Sequence, residues 1–156
     1  MINNVTIFDL DGTVIDSSHR QAYCPETGNL NLAKWRELST PDIIAKDSLL
    51  PLAAFWHKLL RDTDDYIMIC TARVLKEADY NYLNRHGLYA NKIISRPEGV
   101  QTGDAQLKLQ QLRPFKNLRQ FQNVDNWVMY DDNKSVREIV RTIGITAIHP
   151  NKMIEG

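Results

Sequence analysis

Two carboxylates two residues apart directly follow a short apolar segment near the N-terminus. Val5-Thr6-Ile7-Phe8 has the composition of a buried strand, and Asp9-Leu10-Asp11-Gly12-Thr13 comes next. Like charges brought together in a partly buried site raise the pKa of at least one group, and a divalent cation or a shared proton relieves the repulsion. Gly12 permits a sharp change of backbone direction, so an ordinary Asp-Gly turn is the alternative. The spacing thus suits either a turn or a site that binds a cation and moves protons.

Polar groups also follow two later apolar segments. Thr71-Ala72-Arg73 comes after Tyr66–Cys70, and a hydroxyl with a guanidinium at a strand end suits a phosphate. A threonine in that place can instead cap the next helix. Asp131-Asp132 comes after Trp127–Tyr130, and helix capping accounts for only one of these two carboxylates. Asp9 and Asp131 together would form an all-oxygen site of the kind that Mg²⁺ prefers.

A lysine could reach the same region from a predicted helix. Asp104 and Lys108 are four residues apart with the acid first, which is the spacing of a surface ion pair that contributes roughly a few tenths of a kcal/mol. If Lys108 instead points to the strand ends, Asp104 would restrain it there. The occurrence of all these groups in one chain, in this order, favours a functional site.

Short apolar segments alternate with segments of helical spacing. Strands are predicted over 5–8, 66–70, 92–95, 127–130 and 145–148, and helices over 49–60, 75–85, 105–112 and 135–143. We expect the third of these helices to stop near Pro114, because a proline disfavours the helical conformation in the residue before it. The alternation predicts an α/β fold with a mainly parallel five-strand sheet. Ligands of such sheets bind at the carboxyl ends of the strands, where the polar groups would lie.

The segment 14–48 interrupts this alternation. It is polar, contains proline and glycine, and is too short to form a second domain. Gly28-Asn29 suits the turn of a small hairpin around Tyr23 to Leu30, and a short helix is expected near Leu32 to Leu38. We therefore expect a single domain over 1–156, in which residues 14–48 form a flap and linker insertion at the strand ends.

Composition limits the class of protein. The chain has 156 residues, with 19 basic and 19 acidic side chains. The zero formal net charge excludes a strongly basic nucleic-acid coat but not a local basic patch. No apolar run approaches the roughly 18 residues that would span a bilayer, and no signal peptide is recognisable. With only Cys24 and Cys70, a disulfide scaffold is not expected, and we infer a reduced, cytoplasmic protein.

The ordered set Asp9-x-Asp11-Gly-Thr, Thr71, Lys108 and Asp131-Asp132 resembles the four signature motifs of the haloacid dehalogenase superfamily of phosphohydrolases. The resemblance spans the chain and implies a three-layer, Rossmann-like fold of the capless type. It implies that Asp9 is the nucleophile that forms an aspartyl-phosphate and that Asp11 acts as general acid and then as base. Thr71 and Lys108 would hold the phosphoryl oxygens. Mg²⁺ would be bound by Asp9, Asp131 and the backbone carbonyl of Asp11, with Asp132 supporting the metal shell.

Within the superfamily, the chain is similar to the 3′-phosphatase domain of polynucleotide kinase–phosphatases. Arg20 follows Asp9 by eleven residues, as an arginine does in those domains. Arg73 after the second motif and Asp104 before Lys108 are further common features. The resemblance implies that Arg20, Arg73 and Asp104 help to bind substrate. No Gly-x-x-x-x-Gly-Lys-Ser/Thr sequence is present, so no kinase half is expected.

These observations predict a Mg²⁺-dependent phosphomonoester hydrolase that acts on nucleic-acid 3′-phosphate ends. A 5′(3′)-nucleotidase acting on free (deoxy)nucleotides is the alternative, because the neutral charge does not favour a polynucleotide. Sugar phosphates and phosphoproteins are further substrate classes. A non-catalytic module that binds phosphate or nucleic acid is an alternative of another class, but binding alone would not need Asp11 two residues after Asp9.

Overall fold

The protein is built on a parallel five-stranded sheet. Its computed structural model describes residues 1–21 and 31–155. The strands are β1 (Asn4–Phe8), β2 (Ile15–Asp16), β3 (Ser48–Leu49), β4 (Tyr66–Cys70), β5 (Lys92–Ile94), β6 (Asn126–Tyr130) and β7 (Thr146–Ile148). The large sheet has the order β5-β4-β1-β6-β7, so β1 is central. β2 and β3 pair antiparallel in a small second sheet.

The structure describes seven α-helices. They are α1 (Leu32–Glu37), α2 (Pro41–Ile44), α3 (Leu52–Asp62), α4 (Glu77–Arg85), α5 (Asp104–Lys116), α6 (Lys134–Arg141) and α7 (Pro150–Glu155). Of these, α3 to α6 lie between successive strands, α1 and α2 lie in the insertion after β1, and α7 follows the last strand. Short 3₁₀ helices lie at Ser18–Arg20 and Arg119–Phe121. None of the helices within the described ranges is both long and apolar enough to cross a membrane.

Alternating side chains of the sheet explain its three layers. In β1, Val5 and Ile7 belong to one buried cluster with residues of α5 and α6, whereas Phe8 belongs to another with residues of α3 and α4. Successive side chains of a strand point to opposite faces, and a parallel sheet is covered by helices on both. The expected α/β fold with a mainly parallel five-strand sheet is confirmed.

Strand register aligns the ends of the three central strands. Phe8, the last residue of β1, pairs with Ile69 of β4 on one side and with Tyr130 of β6 on the other. The residues that follow these strands therefore meet at one edge of the sheet. This places Asp9, Thr71 and Asp131 in one neighbourhood.

Two helix boundaries differ from the sequence-based expectation. The helix expected to stop near Pro114 continues through it to Lys116. Pro114 removes only the hydrogen bond to the carbonyl of Gln110, an exposed residue, and buried Leu107, Leu109 and Leu112 hold the helix against the core. The helix expected from residue 75 begins at Glu77, which separates its N-terminus from Thr71.

The insertion after β1 is closed by the small sheet. Ile15 pairs with Leu49 and Asp16 with Ser48, so the two ends of the insertion lie side by side. The short helix expected near Leu32 to Leu38 is present as α1, whereas α2 was not expected. The hairpin predicted around Tyr23 to Leu30 lies outside the described residues, as does Cys24. Cys70 is a free, buried thiol.

Candidate active site

The carboxylates that follow two neighbouring strands, β1 and β6, both bind the same lysine. Asp9 follows β1, and Asp131 follows β6. Lys108 on α5 donates from Nζ to Asp9 Oδ1 at 2.9 Å and to Asp131 Oδ2 at 2.7 Å, and all three residues are buried. Burial acts to lower the pKa of Lys108, but the charges of Asp9 and Asp131 outweigh it and raise that pKa. Lys108 is therefore a fixed cation between the two carboxylates.

Thr13 restrains the second oxygen of Asp9. Its Oγ1 donates to Asp9 Oδ2 at 3.1 Å and accepts from the backbone N–H of Asp132 at 3.1 Å. Because Lys108 and Thr13 hold different oxygens of the same carboxylate, the orientation of Asp9 is set from two sides. A carboxylate fixed in this way is suited to nucleophilic attack.

Asp132 completes a cluster of three carboxylates with Asp9 and Asp131. One oxygen from each lies within 4.8 Å of the others. Burial and then the negative charge of Asp9 raise the pKa of both Asp131 and Asp132. Lys108 supplies a single positive charge to this cluster, which leaves an excess of negative charge. An all-carboxylate donor set with uncompensated charge fits a hard divalent cation such as Mg²⁺.

Gly12 provides the space that Asp132 occupies. Its φ is 77°, in the left-handed region. A Cβ added at this position would lie 2.3 Å from Asp132 Oδ2. The backbone conformation therefore favours glycine, and a side chain here would displace the Asp132 carboxylate from its place beside Gly12.

Asp11 faces a guanidinium rather than the acidic cluster. Arg73 donates from Nε to Asp11 Oδ2 at 3.1 Å and from Nη2 to Asp11 Oδ1, and Ser17 Oγ donates to Oδ1 at 2.6 Å. Burial acts to raise the pKa of Asp11, but Arg73 and then Ser17 outweigh it and lower that pKa. The like-charge repulsion expected from the spacing of Asp9 and Asp11 is therefore not what sets the pKa of Asp11, because its nearest charged partner is a cation.

Thr71 lies at the end of β4 with one hydrogen-bonding capacity unused. Its Oγ1 accepts from the backbone N–H of Arg73 at 3.1 Å, and its own hydrogen has no acceptor among the residues that the structure describes. Thr71 is buried at the same strand edge as Asp9. The hydroxyl can therefore donate to a phosphate oxygen. The amides expected from a helix N-terminus here do not come from α4, since α4 begins only at Glu77.

Arg20 is engaged within the protein, contrary to its expected role at the substrate. It is 1% exposed, donates from Nε and Nη2 to Asp47 at 3.0 and 2.9 Å, and donates from Nη1 to Ser39 Oγ at 2.8 Å. Its guanidinium carbon also lies 4.1 Å from the ring centroid of Trp35. Three of its five N–H groups are thus bound within the protein, and Asp47 matches its charge, so the guanidinium is committed to the protein's interior.

Asp104 does not contact Lys108, contrary to the expectation that it restrains this lysine. Its carboxylate accepts from Arg96 Nη2 at 3.0 Å and is half exposed. Arg96 also donates to three backbone carbonyls, including that of Ala72 beside Thr71. Lys108 instead contacts the buried carboxylates of Asp9 and Asp131. The attraction between opposite charges is stronger there than at the exposed carboxylate of Asp104, because water screens it less.

Four residues of this region had no assigned role in the sequence. Thr13 belongs to the first motif, but a threonine after an Asp-Gly pair is also typical of an ordinary turn. Ser17 is polar and close to Asp11 in the chain, which was the only available signal. Asp47 and Asp79 are buried acids on Arg73, and nothing in their local sequence distinguishes them from surface carboxylates.

The fold and this site together define a phosphatase of the haloacid dehalogenase type. The model of the family described as bacteriophage T5 5′-deoxynucleotidase matches residues 1–155, and the chain belongs to that family. The 5′-deoxynucleotidase of Escherichia phage T5 is 34% identical over 94% of this chain and 67% of its own length.

Solved structures support the same fold. A haloacid dehalogenase-like hydrolase from Streptococcus pneumoniae has a TM-score of 0.64 and 14% identity, over 94% of this chain and 84% of that chain. A chain of the Pnkp1/Rnl/Hen1 RNA repair complex has a TM-score of 0.68 and 17% identity, over 95% of this chain and 42% of that chain. The expected resemblance to the superfamily, including the polynucleotide kinase–phosphatase type, is confirmed at the level of fold.

The close approach at Gly12 can be tested with a matched glycine. We expect Gly12→Ala to lose about 1–2 kcal/mol from the left-handed backbone and, in addition, to displace the Asp132 carboxylate and so lower turnover. Gly99 has a φ of 84° with nothing within 4 Å of an added Cβ, so Gly99→Ala carries the backbone strain without a clash. Urea unfolding and turnover of a phosphate ester would be measured for both. An equal loss of turnover in the two variants would contradict a role for this close approach.

Replacement of Asp104 tests whether its pair with Arg96 matters for turnover. We expect Asp104→Ala to cost less than about 1 kcal/mol of stability and to leave turnover nearly unchanged, because the carboxylate is half exposed. Steady-state kinetics with a phosphate monoester would check this. A large fall in turnover would show that Asp104 acts on the site through Arg96 and the Ala72 carbonyl.

Proposed function

We propose that this protein is a Mg²⁺-dependent 5′-deoxynucleotidase that hydrolyses free deoxynucleoside 5′-monophosphates through an aspartyl-phosphate on Asp9. The observation that carries the chemistry is the arrangement of Asp9, whose two oxygens are held by Lys108 and Thr13 beside two further carboxylates. The name of the family and its relative in phage T5 support this substrate class. Hydrolysis of nucleic-acid 3′-phosphate ends is the alternative activity.

Mg²⁺ would be held by Asp9, Asp131 and the backbone carbonyl of Asp11, with Asp132 beside them. When bound, the ion would offset the negative charge that nucleophile and phosphate bring together. The excess negative charge of the carboxylate cluster supports this assignment. Lys108 already contacts two of these ligands, so the lysine and the ion would share the same carboxylates.

In the first step, Asp9 attacks phosphorus and the bond from phosphorus to the 5′ oxygen breaks. The leaving oxygen takes a proton from Asp11, so the nucleoside departs as a neutral alcohol. Lys108 and the free hydroxyl hydrogen of Thr71 stabilise the charge on the phosphoryl oxygens. Arg73 favours the ionised form of Asp11, and the negative charge of a bound phosphate ester opposes that effect.

In the second step, the carboxylate of Asp11 removes a proton from water. The water oxygen attacks phosphorus, the bond from phosphorus to Asp9 breaks, and inorganic phosphate leaves. The contact with Arg73 suits this step, because it keeps Asp11 ionised once its proton has gone to the nucleoside. Asp11 thus ends the cycle as an acid and Asp9 as a free carboxylate.

The charges around the site favour a substrate with a single phosphate. Arg20 and Arg73, which could have bound a second phosphate, are paired with Asp47, Asp11 and Asp79. Arg96 is likewise engaged by Asp104 and backbone carbonyls. Arg20, Arg73 and Arg96 are thus each matched by a carboxylate of the protein itself. A mononucleotide requires no further cation, whereas the end of a polynucleotide brings a neighbouring phosphate.

A substrate panel tests the proposed specificity. With Mg²⁺ present, we expect kcat/KM to be higher for deoxynucleoside 5′-monophosphates than for 3′-monophosphates or for a 3′-phosphorylated oligonucleotide. Chelation of the metal should abolish activity, and added Mg²⁺ should restore it. Preference for the 3′-phosphorylated oligonucleotide, with an advantage that shrinks as salt is added, would support an end-processing phosphatase instead.

Asp9→Asn tests the nucleophile. The amide has nearly the same shape but cannot attack phosphorus, so turnover should fall by a factor of about 10³ or more while the protein stays folded. Phosphate release would be followed, and circular dichroism would confirm the fold. Mass spectrometry of acid-quenched wild-type protein should also detect a phosphoryl group on Asp9. Normal turnover by folded Asp9→Asn protein would exclude Asp9 as the nucleophile.

A further inference from the structure

Arg73 is a buried guanidinium shared by carboxylates from three parts of the chain. It binds Asp11 through Nε and Nη2 and donates from Nη1 to Asp79 Oδ1 at 2.7 Å. Asp47 Oδ2 lies 3.6 Å from its Nη2. The Arg73 side chain is 4% exposed, and those of Asp47 and Asp79 are 0% and 4% exposed. Arg73 therefore has little freedom to leave Asp11 while the other two carboxylates are in place.

Asp79 holds Arg73 from a rigid element. It lies in the first turn of α4, where its Oδ2 accepts from the backbone N–H of Lys76 at 2.9 Å. Its other oxygen accepts from Arg73. The Asp79 carboxylate thus accepts from a backbone N–H at the start of α4 and from Nη1 of Arg73. The position of Arg73 is therefore fixed relative to α4.

Asp47 holds Arg73 from the insertion after β1. It directly precedes β3, and its carboxylate accepts hydrogen bonds from Nε and Nη2 of Arg20 at 3.0 and 2.9 Å. His19 Nε2 lies 2.7 Å from the same carboxylate. Arg20 lies shortly after β2, where the insertion begins, and Asp47 lies just before β3, where the insertion ends. The pair therefore joins the two ends of the insertion and presents one carboxylate oxygen to Arg73.

We propose that Asp47 and Asp79 are positioning residues which hold Arg73, so that Arg73 in turn holds the carboxyl of Asp11 toward the leaving-group oxygen. This inference rests on the proposed function, since it requires the proton-transfer role of Asp11. A guanidinium forms two parallel hydrogen bonds to one carboxylate only in one plane, so a shift of Arg73 turns Asp11 with it. The closure of the insertion is thereby linked to the orientation of the catalytic acid.

The experiment compares two leaving groups. A deoxynucleoside 5′-monophosphate releases an alcohol that needs a proton, whereas p-nitrophenyl phosphate releases a phenolate that needs little protonation. We expect Asp79→Asn to lower kcat for the nucleotide by about tenfold or more and kcat for the nitrophenyl ester much less. The amide oxygen of Asp79→Asn can still accept from Lys76, so the start of α4 is retained. Asp11→Asn serves as the reference for the loss of proton transfer.

A second variant tests the same role through Asp47, so that the result does not depend on the folding of Asp79→Asn alone. Removal of Asp47 alone would leave Arg20 buried without a partner, so the pair is replaced together as Arg20→Met with Asp47→Leu. We expect this variant to show the same preference for the nitrophenyl ester. Val140→Ala is the control for lost stability, because Val140 is fully buried on α6 away from Arg73. It should leave the ratio of the two kcat values unchanged.

The outcomes separate this inference from the proposed function. If Asp11→Asn lowers both kcat values equally, the acid role of Asp11 fails, and this inference fails with it. If Asp11→Asn is selective but folded Asp79→Asn and the double variant keep the wild-type ratio, the proposed function stands and the positioning role is overturned. Selective loss in Asp11→Asn and in both network variants, but not in Val140→Ala, supports the positioning role.

Discussion

Repulsion among Asp9, Asp131 and Asp132 is the constraint to which the other residues of the site respond. Parallel register brings the first two to neighbouring strand ends, and Gly12 leaves the third room to approach. Buried charges of one sign are tolerated only with partners. Lys108 supplies one positive charge, and Thr13 supplies a hydrogen bond. The remaining negative charge suits this strand edge to a cation, and the attraction of two carboxylates accounts for the burial of a lysine on α5.

The two carboxylates of the first motif have different partners and therefore different properties. Asp9 shares the lysine with Asp131, whereas Asp11 is held by the planar fork of Arg73 and by Ser17. A lysine is a compact charge that can lie between two acids, and an arginine fixes the plane of the carboxylate it binds. One arrangement suits a nucleophile that must approach phosphorus, and the other suits a carboxyl that must exchange protons along a defined direction.

Sequence patterns predicted the sheet and the strand-end residues because both follow from local regularities. The apolar segments before Asp9, Thr71 and Asp131 identified the strands, and parallel topology then brought their ends together. The partners of long side chains could not be predicted in this way. Spacing on one helix suggested that Asp104 binds Lys108, but tertiary packing directs Lys108 to the core and Asp104 to Arg96. The carboxylates that contact Arg73 come from separate elements, and no sequence pattern links them. Pro114 was expected to end its helix, but the burial of the apolar face of α5 outweighs that local effect.

The same partner choices bear on substrate size. Arg20 and Arg73 suggested extra phosphate contacts when seen as free cations in a sequence, but each is matched by buried carboxylates of the protein itself. To bind a second phosphate, such an arginine would have to abandon a buried acid, and an unpaired buried charge costs several kcal/mol, roughly as much as a good new ion pair returns. The network is therefore better suited to fixing Asp11 than to reading a polynucleotide backbone, and this agrees with a substrate that carries only the phosphate to be removed.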